Sequence, residues 1–429
     1  MKKIKAFLCG TSFLMAALPM LTACNKEETH AMWLRIWCDT KIQSLTMTQA
    51  KAWASQMAEL YGADIGIKVD PVGEGTAASN MITDVETGAD LYCFAQDQLN
   101  RLRSAGALKE IIDPTAKAKV RNENDEASVS AASIGDSLLA YPLTSDNSFM
   151  MYYDTSFFTN PSDLADLETI IEKCEAGGRK VYFDLNNAWY NASVFYAYGC
   201  KSEWMSNPDG TFYDVDDTYR SANGVKACKA LYNVLHTHKQ TIISDSTVST
   251  AFQHKPGEAP EAAVCVSGTW DYADAVSYLG DNLGATEIPH VTVNGERVQL
   301  KPFLGCKLIG VKPQEDAEKG AYAELLAEHL ISKECQLERF EQNGWGPSNL
   351  EAQATDAVKA NPALVALGKQ RDYSVIQGQY PLDWWTAAGG ISTALADDDC
   401  GGTDAEINAI LQKYKGAIAA MINGDAPQE

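Results

Sequence analysis

Two adjacent tryptophans near the end of the chain could form a surface for a ligand. Trp384 and Trp385 follow Pro381 and Asp383 in the stretch YPLDWW, residues 380–385. An indole ring is flat, stiff and apolar on both faces, so it can pack against a ligand with little loss of conformational entropy. A buried tryptophan is also ordinary core material. Neighbouring residues on a helix point about 100° apart, so one of the pair can face a ligand while the other packs inward.

Side chains that commonly perform catalysis do not occur here in recognisable patterns. The chain has six histidines and no HExxH or GxSxG sequence. His236 and His238 are spaced so that they would point apart on a helix. Acidic residues are plentiful, but none are paired at a spacing that indicates a glycosidase. The stretch VGEGT, residues 72–76, lacks the lysine of a phosphate-binding loop. We therefore expect no enzymatic activity, no cofactor and no metal.

The charge of the chain limits the chemistry of its partners. The 429 residues include 35 basic and 57 acidic side chains, which give a formal charge of −22. So acidic a chain is unsuited to nucleic acid or to anionic lipid held by a basic patch. The composition favours an uncharged ligand.

The cysteines show no metal or redox motif. Of the 11 cysteines, Cys9 and Cys24 lie near the N-terminus and are considered below, and the other nine are scattered without a CxxC pair. Several lie in apolar stretches such as LYCFA and AAVCVSG, so we expect them to be small buried hydrophobic residues. A disulfide that involves Cys400 is an alternative that the sequence leaves open.

The N-terminus has the pattern of a lipoprotein signal peptide. Three lysines among the first five residues precede an apolar stretch that is too short to remain as a membrane span. The stretch ends in LTAC, which resembles a bacterial lipobox, so we expect residues 1–23 to be removed and Cys24 to carry a lipid. A secretory signal with a chance cysteine is the alternative. The lipid would anchor the protein to the outer face of the cell membrane, and residues 24–32 would form a tether.

Strands and helices alternate along the mature chain. The first predicted strands are WLRIW, IGIKVDPVG and LYCFA, at residues 33–37, 65–73 and 91–95. The segments between them, 46–62 and 76–90, have helical spacing. Strand, helix, strand, helix, strand predicts a parallel α/β sheet. Later segments predict further strands at 179–185 and 262–268 and a helical run at 315–342.

The order of several short segments resembles a known protein family. These segments are GIKV (66–69), Gly88 to Asp97, Ser104 to Leu108, AYP (140–142), MMYYDTSFF (150–158), AVCVSGTWDY (263–272) and KPFLGCKLIGVKP (301–313). Their order and spacing resemble an extracellular solute-binding protein of the maltose-binding type, over nearly the whole mature chain.

The resemblance implies an α/β fold of two lobes, of the type II periplasmic-binding-protein class, with a ligand cleft between lobes that are joined by hinge crossovers. The N-terminal lobe would comprise residues 33–143 and 305–343, and the C-terminal lobe residues 146–302 and 347–429. Such a protein closes its hinge when a ligand contacts both lobes, because the ligand stabilises the closed state.

The resemblance also implies which residues bind. A sugar offers apolar C–H faces to aromatic rings and a rim of hydroxyls to carboxylates and amides. Trp384 matches the family's stacking tryptophan better than Trp385 does. The residues that the family's contact segments indicate are Asp39, Lys41, Asp97, Asp146, Asn187, Trp189, Trp270, Tyr272, Trp384 and Trp385, with Asn187 and Glu74 weaker than the others. Surface charge is the alternative for each acid, and core packing is the alternative for each aromatic residue.

The resemblance implies a lipid-anchored, monomeric substrate-binding component of an ABC importer for carbohydrate, most simply malto-oligosaccharides. Its partners would be the oligosaccharide and separate permease subunits with their ATPase. Another oligosaccharide, a polyol, an amino sugar or another small neutral solute is an alternative ligand. A surface glycan-binding adhesin that does not feed a transporter is an alternative of another class, and an enzyme is a third.

Overall fold

The computed structural model describes residues 29–293 and 295–423. The strands of these residues are β1 Met32–Cys38, β2 Ile65–Pro71, β3 Leu91–Ala95, β4 Ser133–Ile134, β5 Ser137–Leu138, β6 Tyr141–Asn147, β7 Phe149–Asp154, β8 Lys180–Tyr182, β9 Ser202–Ser206, β10 Phe212–Asp217, β11 Ile242–Ile243, β12 Ala262–Gly268, β13 Leu283–Thr286, β14 His290–Val293, β15 Glu296–Gln299, β16 Phe303–Val311 and β17 Val375–Ile376.

The helices of the same residues connect these strands and cover the sheets. They are α1 Thr40–Tyr61, α2 Glu74–Thr83, α3 Leu99–Ser104, α4 Pro114–Glu123, α5 Glu126–Ala131, α6 Leu167–Gly177, α7 Ala188–Ala197, α8 Ala222–Tyr232, α9 Val248–Phe252, α10 Tyr272–Leu279, α11 Ala317–Leu330, α12 Lys333–Asn343, α13 Leu350–Gln353, α14 Asp356–Ala360, α15 Pro362–Gln370, α16 Leu382–Ala396 and α17 Asp404–Asn423.

The first sheet contains the predicted parallel strands. Its order is β17-β16-β3-β1-β2, with β6 also paired to β16. Strand β1 runs parallel to both β2 and β3, which confirms the α/β prediction. Helix α1 ends at Gly62 in the left-handed conformation, as predicted. It begins at Thr40, earlier than predicted, because the Asp39 side chain accepts a hydrogen bond from the backbone N–H of Lys41 and caps the helix.

The second sheet has the order β11-β8-β12-β7-β13. Strand β7 is antiparallel to β12 and β13, whereas β8 is parallel to β11 and β12. Its apolar core is rich in aromatic side chains and extends into α16 and α17. The first sheet has a separate core, which includes the side chains of α1 and α11. Two sheets with separate cores agree with the mixed α/β class.

The chain passes from the first sheet to the second between β6 and β7. At this crossing the carboxylate of Asp146 accepts hydrogen bonds from the Thr269 hydroxyl and from the backbone N–H of Gly346. Strand β17 belongs to the first sheet, through its pairing with β16, although it comes late in the chain. The lobe boundaries 33–143 with 305–343 and 146–302 with 347–429 remain a prediction.

Two predicted helices differ from the structure. The helix predicted at 76–90 is α2, which ends at Thr83. The helical run at 315–342 is divided into α11 and α12, because the Ser332 hydroxyl accepts a hydrogen bond from the backbone N–H of Cys335 and starts a new helix.

The predicted signal peptide and Cys24 lie outside the described residues. Within residues 29–293 and 295–423, no helix is both long enough and apolar enough to cross a membrane.

Candidate ligand-binding site

A cavity of about 400 Å³ lies between the two sheets. We call it the binding cavity. Its walls come from both sheets and from the segments that cross between them. It is lined by Asp39, Lys41, Glu74, Gly75, Ala95, Asp97, Gln98, Asn147, Asn187, Trp189, Trp270, Lys307, Gln377 and Trp385.

Three tryptophans form the apolar part of the cavity. Trp189 stacks on Phe303 at a centroid distance of 5.2 Å and lies 6.3 Å from Trp385. Trp270 follows Gly268, where a Cβ atom would come within 2.1 Å of the indole ring, so glycine lets this ring lie flat on the backbone. All three indoles are only partly buried, so each has ring surface available to a ligand.

Of the tryptophan pair, Trp385 lines the cavity and Trp384 does not. Trp384 is fully buried, stacks on Tyr380 at 4.2 Å, and donates a hydrogen bond from Nε1 to the Tyr414 hydroxyl at 3.1 Å. The preference for Trp384 as the stacking residue therefore does not fit the structure. The cause is the rotation of α16, which turns Trp384 towards α17 and Trp385 towards the cavity, as the angle between neighbouring helical residues allows.

Asp97 lies on the cavity wall directly after β3. Its side chain is 4 % exposed and accepts a hydrogen bond from Gln377 Nε2 at 3.0 Å. Burial raises the pKa of Asp97 to about 7, against the opposing effects of the Arg101 guanidinium and of hydrogen bonds from Trp385 and Gln377. Asp97 can accept from a ligand hydroxyl when it is charged and donate to one when it is protonated.

Lys41 lines the cavity and also bridges it. Its ammonium group donates hydrogen bonds to the backbone oxygen of Trp270 at 3.0 Å, to the Asp271 carboxylate and to Asp274 at 2.7 Å. Burial lowers the pKa of Lys41, but the two aspartates outweigh it and the net pKa is raised. Lys41 thus joins the end of β1 and α1 to the start of α10. Asp39 also lines the cavity and caps α1.

Of three further residues predicted to bind the ligand, Asn187 lines the cavity, whereas Asp146 and Tyr272 contact other parts of the protein. Asn187 caps α7 through a hydrogen bond from Trp189 N–H at 2.9 Å. Asp146 is 3 % exposed, and its hydrogen bonds to Thr269 and Gly346 make it a connector of the crossing segments. Tyr272 is half-buried against Gly344, where a Cβ atom would meet its ring at 2.5 Å. Neither Asp146 nor Tyr272 lines the cavity.

Several lining residues were not predicted from the sequence. They are Gly75, Ala95, Gln98, Asn147, Lys307 and Gln377, and Glu74 was only a weak candidate. A lone lysine within the apolar strand FLGCKLIGV was a signal for Lys307. Gln377 had none, because it follows the two-residue strand β17 and reaches Asp97 only through the tertiary fold.

The arrangement of the cavity is suited to reversible binding. It combines three indole surfaces with amide, carboxylate and ammonium groups, which match the apolar faces and the polar rim of an uncharged, hydroxyl-rich molecule. Among the described residues, no cluster of His, Cys, Asp and Glu side chains could hold a metal ion.

The sequence profile of the family described as bacterial extracellular solute-binding protein matches residues 52–366. The chain belongs to this family, whose members act outside the cytoplasm and bind solutes rather than transform them. No sequence among curated proteins matches the chain significantly.

Solved structures show the same fold. The maltodextrin-binding protein MalE1 from L. casei BL23, without ligand, is 21 % identical, with a TM-score of 0.71 over 91 % of this chain and 100 % of that one. The maltose/maltodextrin-binding domain MalE from Bdellovibrio bacteriovorus, bound to maltotriose, is 19 % identical, with a TM-score of 0.73 over 91 % and 100 %. The Thermus thermophilus maltotriose-binding protein, bound with maltotriose, is 16 % identical, with a TM-score of 0.69 over 90 % and 100 %. At these identities the likeness concerns the fold.

Proposed function

We propose that this protein is the substrate-binding component of an ABC importer and binds neutral oligosaccharides, such as malto-oligosaccharides, in the binding cavity. The observation that carries the proposal is the joint presence of Trp189, Trp270 and Trp385 beside buried hydroxyl-binding groups such as Asp97 and Gln377. Structural neighbours whose ligands are maltotriose agree with it.

The ligand would work by holding the two lobes together. We propose the lobes as residues 33–143 with 305–343 and residues 146–302 with 347–429. The cavity takes Asp39 and Asp97 from the first and Trp189, Trp270 and Trp385 from the second. A saccharide that contacts both sets binds the closed state more tightly than the open one, and this difference drives closure.

The importer role rests on the family and on the N-terminal sequence. Solute-binding family membership supports separate permease and ATPase subunits as partners. The lipobox-like LTAC supports a lipid on Cys24 and an anchor on the outer face of the membrane. Mass spectrometry of the protein from its native membrane would detect the lipidated Cys24 peptide. A free N-terminus at another residue would refute the anchor.

Calorimetric titration of the mature protein with a panel of neutral glycans tests the ligand class. We expect maltotriose to bind. Trp385→Ala and Trp270→Ala should each weaken binding by about 1–3 kcal/mol, by analogy with the stacking of bases on aromatic side chains. Trp33→Ala is the matched control, because Trp33 is 43 % exposed at the start of β1 and does not line the cavity.

Trp384→Ala separates packing from binding. Because Trp384 is fully buried, its truncation should lower the free energy of unfolding by about 3–5 kcal/mol. Trp385→Ala should lower it much less. If Trp385→Ala and Trp270→Ala both fold and bind every glycan as the wild type does, the cavity is not the saccharide site. Release of a cleaved saccharide from the wild type would contradict a pure binding role.

A further inference from the structure

Lys307 is a buried cation on the cavity wall whose ammonium group has no hydrogen-bond acceptor among the described residues. Its side chain is 8 % exposed, and the Glu74 oxygen Oε2 lies 3.8 Å from Nζ, too far for a hydrogen bond. The ring centroids of Trp345 and Trp270 lie 3.6 and 5.5 Å from Nζ. An ammonium group offers three donors, and Lys307 Nζ is not sealed from solvent, so these donors open to the cavity. Packing alone does not account for this lysine.

The backbone at Lys307 is irregular where the side chain enters the cavity. The β16–β6 ladder shifts register on both sides of Lys307. Such bulges redirect side chains and often occur beside functional sites. Cys306 and Leu308, the neighbours along the strand, are both packed in the core of the first sheet. The irregularity therefore places one charged side chain at the cavity within an otherwise apolar strand.

Glu74 is a buried acid beside Lys307 with a carboxylate oxygen that lacks a hydrogen-bond donor. It is the first residue of α2, lines the same cavity and is 7 % exposed. Its oxygen Oε1 has no hydrogen-bond partner among the described residues. Burial raises the pKa of Glu74, and the Lys307 charge opposes that rise. The other carboxylate oxygen, Oε2, is not sealed from solvent and lies beside Lys307 Nζ, so donors and an acceptor meet at one place on the cavity wall.

We propose that Lys307 and Glu74 form a subsite for two neighbouring hydroxyls of a saccharide, in which Lys307 Nζ donates to one hydroxyl oxygen and Glu74 accepts from the other hydroxyl. This subsite deepens the proposed function and rests on it. An anionic sugar would face Glu74 and a cationic sugar would face Lys307, whereas an uncharged diol matches both. Trp345 stabilises the ammonium group from behind through its ring face.

Calorimetry with maltotriose and its singly deoxygenated analogues tests the subsite. In the wild type, removal of a hydroxyl that contacts Lys307 or Glu74 should weaken binding about tenfold or more. Lys307→Met should bind maltotriose about 10- to 100-fold more weakly, as expected for a lost hydrogen bond to a charged group. It should also lose the wild-type sensitivity to one of the deoxygenated analogues, which a merely structural role of Lys307 would not change.

Two further variants complete the design. Lys109→Met is the matched control, because Lys109 pairs with Glu324 and does not line the cavity. Lys307→Met/Glu74→Gln removes both charges, so it leaves no uncompensated carboxylate to impair folding, and it should show the same loss of binding. Thermal unfolding verifies that each variant is folded.

The outcomes separate this inference from the proposed function. If the wild type binds maltotriose, and Lys307→Met or the double variant binds it equally well with an unchanged penalty for every analogue, the subsite is wrong and the proposed function stands. If the wild type binds no saccharide of the panel, the proposed function is wrong and the subsite is overturned with it.

Discussion

Lys41 should control affinity through the contact between the lobes. Its ammonium group reaches three oxygens across the cavity, those of Trp270, Asp271 and Asp274. The Lys41 side chain is 36 % exposed, Asp271 13 % and Asp274 46 %. Solvent therefore screens the pair with Asp274 strongly, and that contact adds little. The pair with Asp271 is better shielded.

The magnitude follows from this exposure. A partly shielded charged hydrogen bond contributes about 1–2 kcal/mol, between the value for exposed pairs and that for buried ones. Under the proposed division into lobes, this bond joins the first lobe to the second, so Lys41→Met should shift the proposed closing equilibrium by the same amount. The observed saccharide affinity should then fall about 5- to 30-fold.

A double-mutant cycle by calorimetry tests the mechanism. We expect Asp271→Asn/Asp274→Asn to weaken maltotriose binding as Lys41→Met does, although neither aspartate lines the cavity. The triple variant should be no weaker than the stronger of the two, since all three residues form one contact. Lys68→Met is the control, because Lys68 pairs with Asp70 within the same strand, β2, and so does not join the two lobes. Wild-type affinity in the aspartate variant, together with weak binding by Lys41→Met, would refute the reasoning and make Lys41 a direct ligand contact.

Two further predictions concern titratable groups. Burial raises the pKa of Asp97 to about 7 from 3.8, so its contribution to the free energy of unfolding is complete below about pH 4 and is lost as the pH rises through 7. Urea unfolding at several pH values should show this loss, on the order of 4 kcal/mol, in the wild type relative to Asp97→Asn, and parallel pH profiles would contradict it. Among the described cysteines, which are all free, only Cys400 is partly exposed. In a folded chain that begins after Cys24, we expect an aromatic disulfide reagent to titrate one thiol, and none in Cys400→Ser; a second rapid thiol would contradict the burial of the other cysteines.

Local sequence patterns predicted the elements near the start of the chain well. The apolar stretch LYCFA coincides with β3, and Gly62 ends α1, because both signals act over a few neighbouring residues. The patterns failed where a polar side chain changed the backbone. Asp39 extended α1 towards its N-terminus, and Ser332 divided the predicted helical run into two helices.

The sequence predicted which kinds of residue form the site more accurately than which individual residues face the cavity. Resemblance to solute-binding proteins pointed to Asp97, Trp270 and the tryptophan pair. It could not decide between Trp384 and Trp385, since that choice depends on how α16 rotates against α17. The resemblance also could not show that Asp146 holds the crossing segments together instead of facing a ligand.

The sequence by itself determined the class of the protein: its α/β alternation, its acidic charge, its aromatic segments and the order of motifs that relates it to solute-binding proteins. Only the tertiary structure decided which groups meet. Lys307 and Glu74 are far apart in sequence, as are Asp97 and Gln377, and each pair is assembled at the cavity because distant parts of the chain contribute strands to the same first sheet. The physical reason is that periodicity and capping are local, whereas the contacts of a cavity depend on how distant segments pack and rotate against one another.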